Sequence, residues 1–171
     1  PVARHGNYDP MEMTHDVGAR ISWTLRPKVS IQPTGITDTD GRVILKDGPG
    51  RRADMQQVCL ACHSNEWIDN FYVQFDQAVH LYNDKYGRPS TSIYNFLKEQ
   101  QILDAIPMNE EMDYVYFEIW HPEGRRARHG ASMMGPDYVQ WHGFYELSRN
   151  FYTHFLPLAQ ELGDHAGKGR M

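Results

Sequence analysis

Pro136-Asp137-Tyr138-Val139-Gln140-Trp141-His142-Gly143-Phe144-Tyr145-Glu146-Leu147-Ser148-Arg149-Asn150-Phe151-Tyr152 is the stretch that decides the fold. Tyr138, Trp141, Tyr145, Ser148, Tyr152, Phe155, Ala159 and Leu162 recur at alternating steps of three and four, the spacing of one helix face. Pro136 and Asp137 suit the first turn, where a missing amide donor costs nothing and an acidic side chain meets the helix dipole. About three heptads of this pattern predict a seam for a neighbouring helix, in the same chain or in another subunit. Most of the aromatic residues on it are expected to form bundle core, while Tyr138 and His142, one turn apart on one face, are set aside as a phenol and an imidazole able to converge on one target. Pro157 is expected to kink the helix near its end.

Working upstream, the pattern stays helical as far back as Cys59. Asn109, Glu110 and Glu111 predict a helix start, with Pro122 and Gly124 as its stop. Ser90 or Thr91 is placed to cap another helix reaching about Ala105. Trp67, Phe71, Phe75, Ala78 or Val79, Tyr82 and Tyr86 form an apolar stripe that should end at Gly87-Arg88-Pro89. Residues 1 to 58 read differently. Pro27, Pro33, Gly35, Gly41, Gly48, Pro49 and Gly50 break them into irregular segments, with a hairpin expected near Asp40-Gly41. The fold class that follows is mainly α, an irregular segment followed by a long-helix bundle. The organisation is 1–65, 66–163 and a tail at 164–171.

The two cysteines both lie in Cys59-Leu60-Ala61-Cys62-His63, the spacing of a c-type haem attachment motif. Two thiols three residues apart form thioethers to the porphyrin vinyl groups, and the adjacent imidazole becomes the proximal iron ligand. A structural zinc site needs a second pair of Cys or His ligands at short spacing, and none follows Cys62. A thioredoxin-like redox pair needs a preceding strand, which the pattern lacks. Nine histidines supply candidates for a sixth ligand: His15, followed by Asp16 as a hydrogen-bond acceptor, and His129, beside Gly130. Met133 or Met134 would serve instead at a higher reduction potential. Arg125, Arg126 and Arg128 form either a solvated basic cluster or partners for haem propionates.

The setting is bounded by composition. The chain has 171 residues, enough for about one domain, and its 17 basic against 22 acidic residues give a net charge of -5, with no electrostatic footprint for nucleic acid. Apolar runs fall short of the roughly 20 residues that cross a bilayer. The start at Pro1 shows no secretory leader, so the expectation is a fragment, with any signal peptide removed or far upstream. Covalent haem is matured outside the bacterial cytoplasm, which points to the periplasm.

The segment Arg125-Arg126-Ala127-Arg128-His129-Gly130-Ala131-Ser132-Met133-Met134-Gly135-Pro136-Asp137-Tyr138-Val139-Gln140-Trp141-His142-Gly143, with Thr14-His15-Asp16-Val17-Gly18-Ala19-Arg20 and the haem motif, resembles the C-terminal part of hydroxylamine oxidoreductase, the octahaem cytochrome c of nitrifying and anammox bacteria. The resemblance covers nearly the whole chain, and Met133 to Tyr138 is its most specific element. It implies a mainly helical homotrimer, in the periplasm or the anammoxosome lumen, that oxidises hydroxylamine to nitric oxide or nitrite and passes electrons through c-type haems to a cytochrome acceptor. By the resemblance, Cys59, Cys62 and His63 hold the last of eight haems and His15 is its distal ligand. His129, or less directly His142, is the distal ligand of a haem bound by another part of the chain. Tyr138 is the residue that bonds covalently to the catalytic haem of the adjacent subunit, and residues 66–163 supply the trimer interface. Tyr8 would reach the distal pocket as a proton-handling group. Seven attachment motifs of the family pattern are absent, so this chain alone is not expected to turn over substrate. Two alternatives remain: a hydrazine dehydrogenase of the same family, and a monohaem electron carrier without catalysis, which would have no need of the long aromatic seam.

Overall fold

The computed structural model describes residues 32–37, 39, 43–46 and 48–168. The chain is mainly helical, and its described residues fall into two compact units divided between Phe75 and Asp76. The first unit contains the expected hairpin. Strand β1 (Gln32–Thr37) pairs antiparallel with β2 (Val43–Lys46), in the register Gln32 to Lys46 and Pro33 to Leu45, with an irregularity before Thr37 meets Val43. Asp40 and Gly41 themselves lie outside the described residues.

Helix starts sooner than the Gly and Pro content implies. Helix α1 (Gly48–Cys59) opens on Gly48-Pro49-Gly50, which the sequence reading assigned to an irregular segment. A proline in the first turn donates no bond the helix needs, so here it marks a start. Met55 and Val58 bury one face of α1, and the Arg52 guanidinium lies 4.7 Å from the Tyr72 ring centroid.

Of the three further helices, two run past a predicted stop. Asn65–Tyr82, Asn83–Gly87 and Arg88–Glu99 follow without a break, so residues 65–99 make one helix, α2. Glu111–Glu118, Ile119–Glu123 and Gly124–Ser132 make α3, residues 111–132. Helix α4 covers residues 136–168 and begins, as expected, at Pro136 and Asp137. The middle segments of α2 and α3 are widened π turns, and so are Tyr138–Tyr145 and Phe151–Phe155 in α4. All but Tyr138–Tyr145 lie beside or around one of Pro89, Pro122 and Pro157. Proline lacks an amide donor and crowds the carbonyl four residues back, and a wider turn absorbs both defects without ending the helix. Ser90 and Thr91 therefore do not cap a new helix. Their hydroxyls donate backwards, Ser90 Oγ to the Tyr86 carbonyl at 2.6 Å and Thr91 Oγ1 to the Gly87 carbonyl at 2.7 Å.

The glycines read as stops have a packing role. A Cβ on Gly87 would stand 2.9 Å from the Tyr82 ring and one on Gly124 2.5 Å from it, so both leave room for that one buried tyrosine. Helix α2 ends at Glu99, short of Ala105, where Gln101 takes a positive φ of 56°. Helix α3 starts where Asn109, Glu110 and Glu111 predicted, with a capping box that puts the cap on Glu110. Glu110 accepts from the Asp113 backbone, while the buried Asp113 carboxylate accepts from the Glu110 N–H at 3.2 Å. Tyr94 also donates to Asp113, and Lys98 Nζ lies 3.2 Å from it. Burial alone would raise the Asp113 pKa, but the donors from Tyr94, Glu110, Lys98 and Asn109 outweigh it and hold the carboxyl below its usual range.

In the second unit, Tyr82 and Leu97 from α2, Leu103 from the connection, Met112 and Ile119 from α3, and Leu147, Phe151 and Phe155 from α4 form one core. Each fully buried aliphatic or aromatic side chain contributes about 1.5–3 kcal/mol. The seam read along α4 is correct for Phe155, Ala159 and Leu162 and wrong for its first half. Val139, Gly143, Leu147, Asn150 and Phe151 face inward, whereas Tyr138, Trp141, Tyr145 and Tyr152 are 48, 59, 52 and 57% exposed. The π turns shift the helix phase, so a three-and-four count started at Tyr138 follows the outer face and reaches the core only after Phe151–Phe155. The stripe on α2 is likewise split: Phe75 and Tyr82 are buried and Trp67 is exposed.

Candidate haem-attachment site and the Tyr138 face

The Cys59–His63 motif forms the turn between α1 and α2. The Cys59 carbonyl accepts from both the Cys62 N–H, at 3.1 Å, and the His63 N–H, at 2.9 Å, which closes the motif on itself. Ser64 then starts α2, its Oγ accepting from the Trp67 N–H at 3.3 Å. Cys59 is half-buried, Cys62 exposed and His63 half-buried. The His63 imidazole lies against Trp67 with centroids 3.9 Å apart and planes within 10°, and Phe71 continues the stack at 6.4 Å. This donor set fits a c-type porphyrin. The two cysteines flank a tight turn, and the imidazole that would bind iron follows Cys62 directly. Among the described residues no group of three or more His, Cys, Asp and Glu is arranged to hold a metal ion by itself.

The other predicted site residues separate. His15 and Tyr8 lie outside the described residues. His129 is half-buried in the last turn of α3, where its carbonyl accepts from Ser132 Oγ at 2.7 Å. Met133 and Met134 are exposed in the turn between α3 and α4, with Met134 at a φ of 56°. Tyr138 and His142 do share a face, their rings 5.7 Å apart.

The chemistry around His142 extends beyond what the sequence reading named. Its Nδ1 is 3.0 Å from Glu146 Oε1, and Arg126 donates to the other Glu146 oxygen at 2.7 Å. The spacing of His142 and Glu146 made that pair legible on a helix face, whereas the Arg126 partner lies across the helix hairpin. Deeper along the same interface Asn150 Nδ2 donates to Glu123 at 3.1 Å and reaches Glu118 at 3.4 Å, and Asn150 Oδ1 lies 3.2 Å from His154. Burial is the main cause that pushes the Glu123 carboxyl up to about 7, with the Glu118 and Glu146 carboxylates adding to it against Asn150 and Arg126.

The pairs Arg126–Glu146, Ala127–Gly143 and Gly130–Val139 fix α3 and α4 as an antiparallel hairpin. A Cβ on Gly143 would meet the Ala127 backbone at 2.6 Å, so this glycine sets how closely the helices approach. In the arginine cluster read as solvated or propionate-binding, Arg125 is exposed and Arg126 and Arg128 half-buried, and each has a partner on α3 or α4. Arg126 holds Glu146, Arg125 lies 3.3 Å from His121, and Arg128 donates to the Gly124 and Trp120 carbonyls with its guanidinium 4.3 Å from the Tyr82 ring centroid. No helix among the described residues is long and apolar enough to cross a membrane. Compared with protein-family models, curated proteins and solved structures, the chain has no match in any of the three.

Proposed function

We propose that this chain is the C-terminal part of a multihaem c-type oxidoreductase that oxidises hydroxylamine, to nitric oxide or nitrite, in the bacterial periplasm or the anammoxosome lumen. The observation that carries the reading is the Cys59–His63 turn, with two cysteines at attachment spacing and an imidazole next in sequence. Cys59 and Cys62 hold haem c through thioethers, His63 is the proximal ligand, and His15 is the distal ligand. His129 serves as distal ligand to a second haem. Bound haem supplies the electron acceptance and the path for electrons towards a cytochrome partner.

The chain's own residues do the rest. Tyr138 stands on an exposed aromatic face with Trp141, Tyr145 and Tyr152, the kind of surface another subunit covers, and from there its phenol grips the catalytic haem of the neighbouring copy in a homotrimer. His142 lies beside that phenol and is held by Glu146, which Arg126 anchors to α3. His142 lies one helical turn from Tyr138, where its imidazole would serve as a proton-handling group. Exposed Trp141, Tyr145 and Tyr152 favour the assembled enzyme over a monomeric carrier, because a free carrier has no use for an uncovered aromatic seam.

The test is turnover in the assembled trimer. Wild type should oxidise hydroxylamine with reduction of a cytochrome acceptor, and Tyr138→Phe should keep the haem on Cys59 and Cys62 while losing oxidation. Equal turnover by the two proteins removes Tyr138 from the mechanism, and turnover of hydrazine alone replaces the substrate.

A further inference from the structure

The orientation of a ligand imidazole is normally fixed by a hydrogen bond from its second ring nitrogen to a carbonyl or carboxylate. His63 has no such bond among the described residues. Its ring is held by the Trp67 indole, nearly coplanar at 3.9 Å, and the Trp67 backbone is in turn fixed by the Ser64 cap. Trp67 is not core. It is 42% exposed, with His63 on one side and Phe71 continuing the stack on the other. An indole left at the surface of a helix's first turn, four residues after the ligand, covers one face of the imidazole and limits its rotation.

We infer that Trp67 is the positioning residue of the attachment site, setting the plane of the His63 ring by stacking where most metal-bound histidines use a hydrogen bond. The inference rests on the proposed haem site. It places the control of the ligand plane on α2, in the residue four positions after the ligand. The Phe71 ring lies nearly parallel to the indole with centroids 6.4 Å apart. A ring plane fixed in this way determines which lobes of the iron's unpaired spin reach the porphyrin edge, and it shifts the reduction potential with them.

The experiment uses the chain matured with haem, as wild type, Trp67→Leu and Trp67→Phe. Leucine keeps apolar bulk on the helix but removes the ring, and phenylalanine restores a stacking face. The spread of haem-methyl resonances in the ferric protein reports the ligand plane, and a redox titration reports the potential. Trp67→Leu should change both, with Trp67→Phe returning towards wild type, and neither change follows from a merely structural role on the helix surface. A Trp67→Leu protein with haem-methyl spread and potential identical to wild type overturns the inference and leaves the haem site standing. A wild-type chain that takes up no haem overturns both.

Discussion

Replacing Gly143 with Ala should force the α3–α4 hairpin apart. The added methyl would stand 2.6 Å from Ala127 Cα, 2.8 Å from its backbone nitrogen and 3.0 Å from its Cβ. Carbon atoms at rest sit about 3.5–4.0 Å apart, so one helix must give by about 1 Å, and the obstacle is backbone with no rotamer to change. Overpacking of this kind costs about 1–3 kcal/mol, and backbone opposition puts Gly143 at the upper end. Alanine's better helix propensity returns about 1 kcal/mol, leaving a net loss of about 2 kcal/mol. For a chain of this length that lowers the melting temperature by about 4–8 °C. Gly163, in the same helix with nothing within 4 Å of its missing Cβ, is the internal control. Gly163→Ala should raise the melt by about 1–4 °C through propensity alone. Thermal melts followed by far-ultraviolet circular dichroism, with haem content held equal, measure both. A Gly143→Ala protein that melts at or above wild type would refute the close-approach argument.

Three further outcomes follow from the same structure. Glu123 is raised in the folded state above its ordinary value of 4.5 to about 7, chiefly by burial. The stability it contributes is whole below about 4.5 and is lost as pH rises through about 7, so Glu123→Gln should flatten that limb of a stability-against-pH curve from denaturant titrations, and an unchanged slope contradicts the assignment. Leu147 is fully buried in the bundle core, and Leu147→Ala should cost about 2–5 kcal/mol in a urea titration, whereas a loss under about 1 kcal/mol would place it outside the core. Tyr152→Ser on the exposed face should leave the stability of the isolated chain within about 0.5 kcal/mol and weaken self-association in analytical ultracentrifugation of the trimer, and unchanged association would exclude Tyr152 from the subunit contact.

The helical class, the hairpin around Asp40-Gly41, the helix start at Asn109 to Glu111 and the start of α4 at Pro136 were all legible because each rests on local chemistry. The helix ends read at Gly87-Arg88-Pro89 and at Pro122 and Gly124 fail for two physical reasons. These residues satisfy the local rules for a helix end, yet π turns absorb the prolines and the Tyr82 ring takes the space left by the glycines. The Tyr82 ring meets Gly124 on another helix, and no local rule foresees that contact or a widened turn. A widened turn also breaks the period on which face assignment depends, which is why counting from Tyr138 followed the solvent side of α4 until Phe155. The Cys59–His63 turn and the Tyr138–His142 pair are short-range and could be read directly. Arg126, Glu123 and Asn150 act on partners 20 to 32 residues away, and no spacing rule reaches that far.

The central claim is the covalent porphyrin on Cys59 and Cys62, and it has a direct measurement. The chain is produced with a complete cytochrome c maturation system, digested, and the peptide spanning Cys59 to His63 is weighed and its absorbance recorded. The account predicts a coloured peptide heavier by one haem, with neither thiol open to alkylation. A colourless peptide of unmodified mass, alkylated at both cysteines, would contradict it.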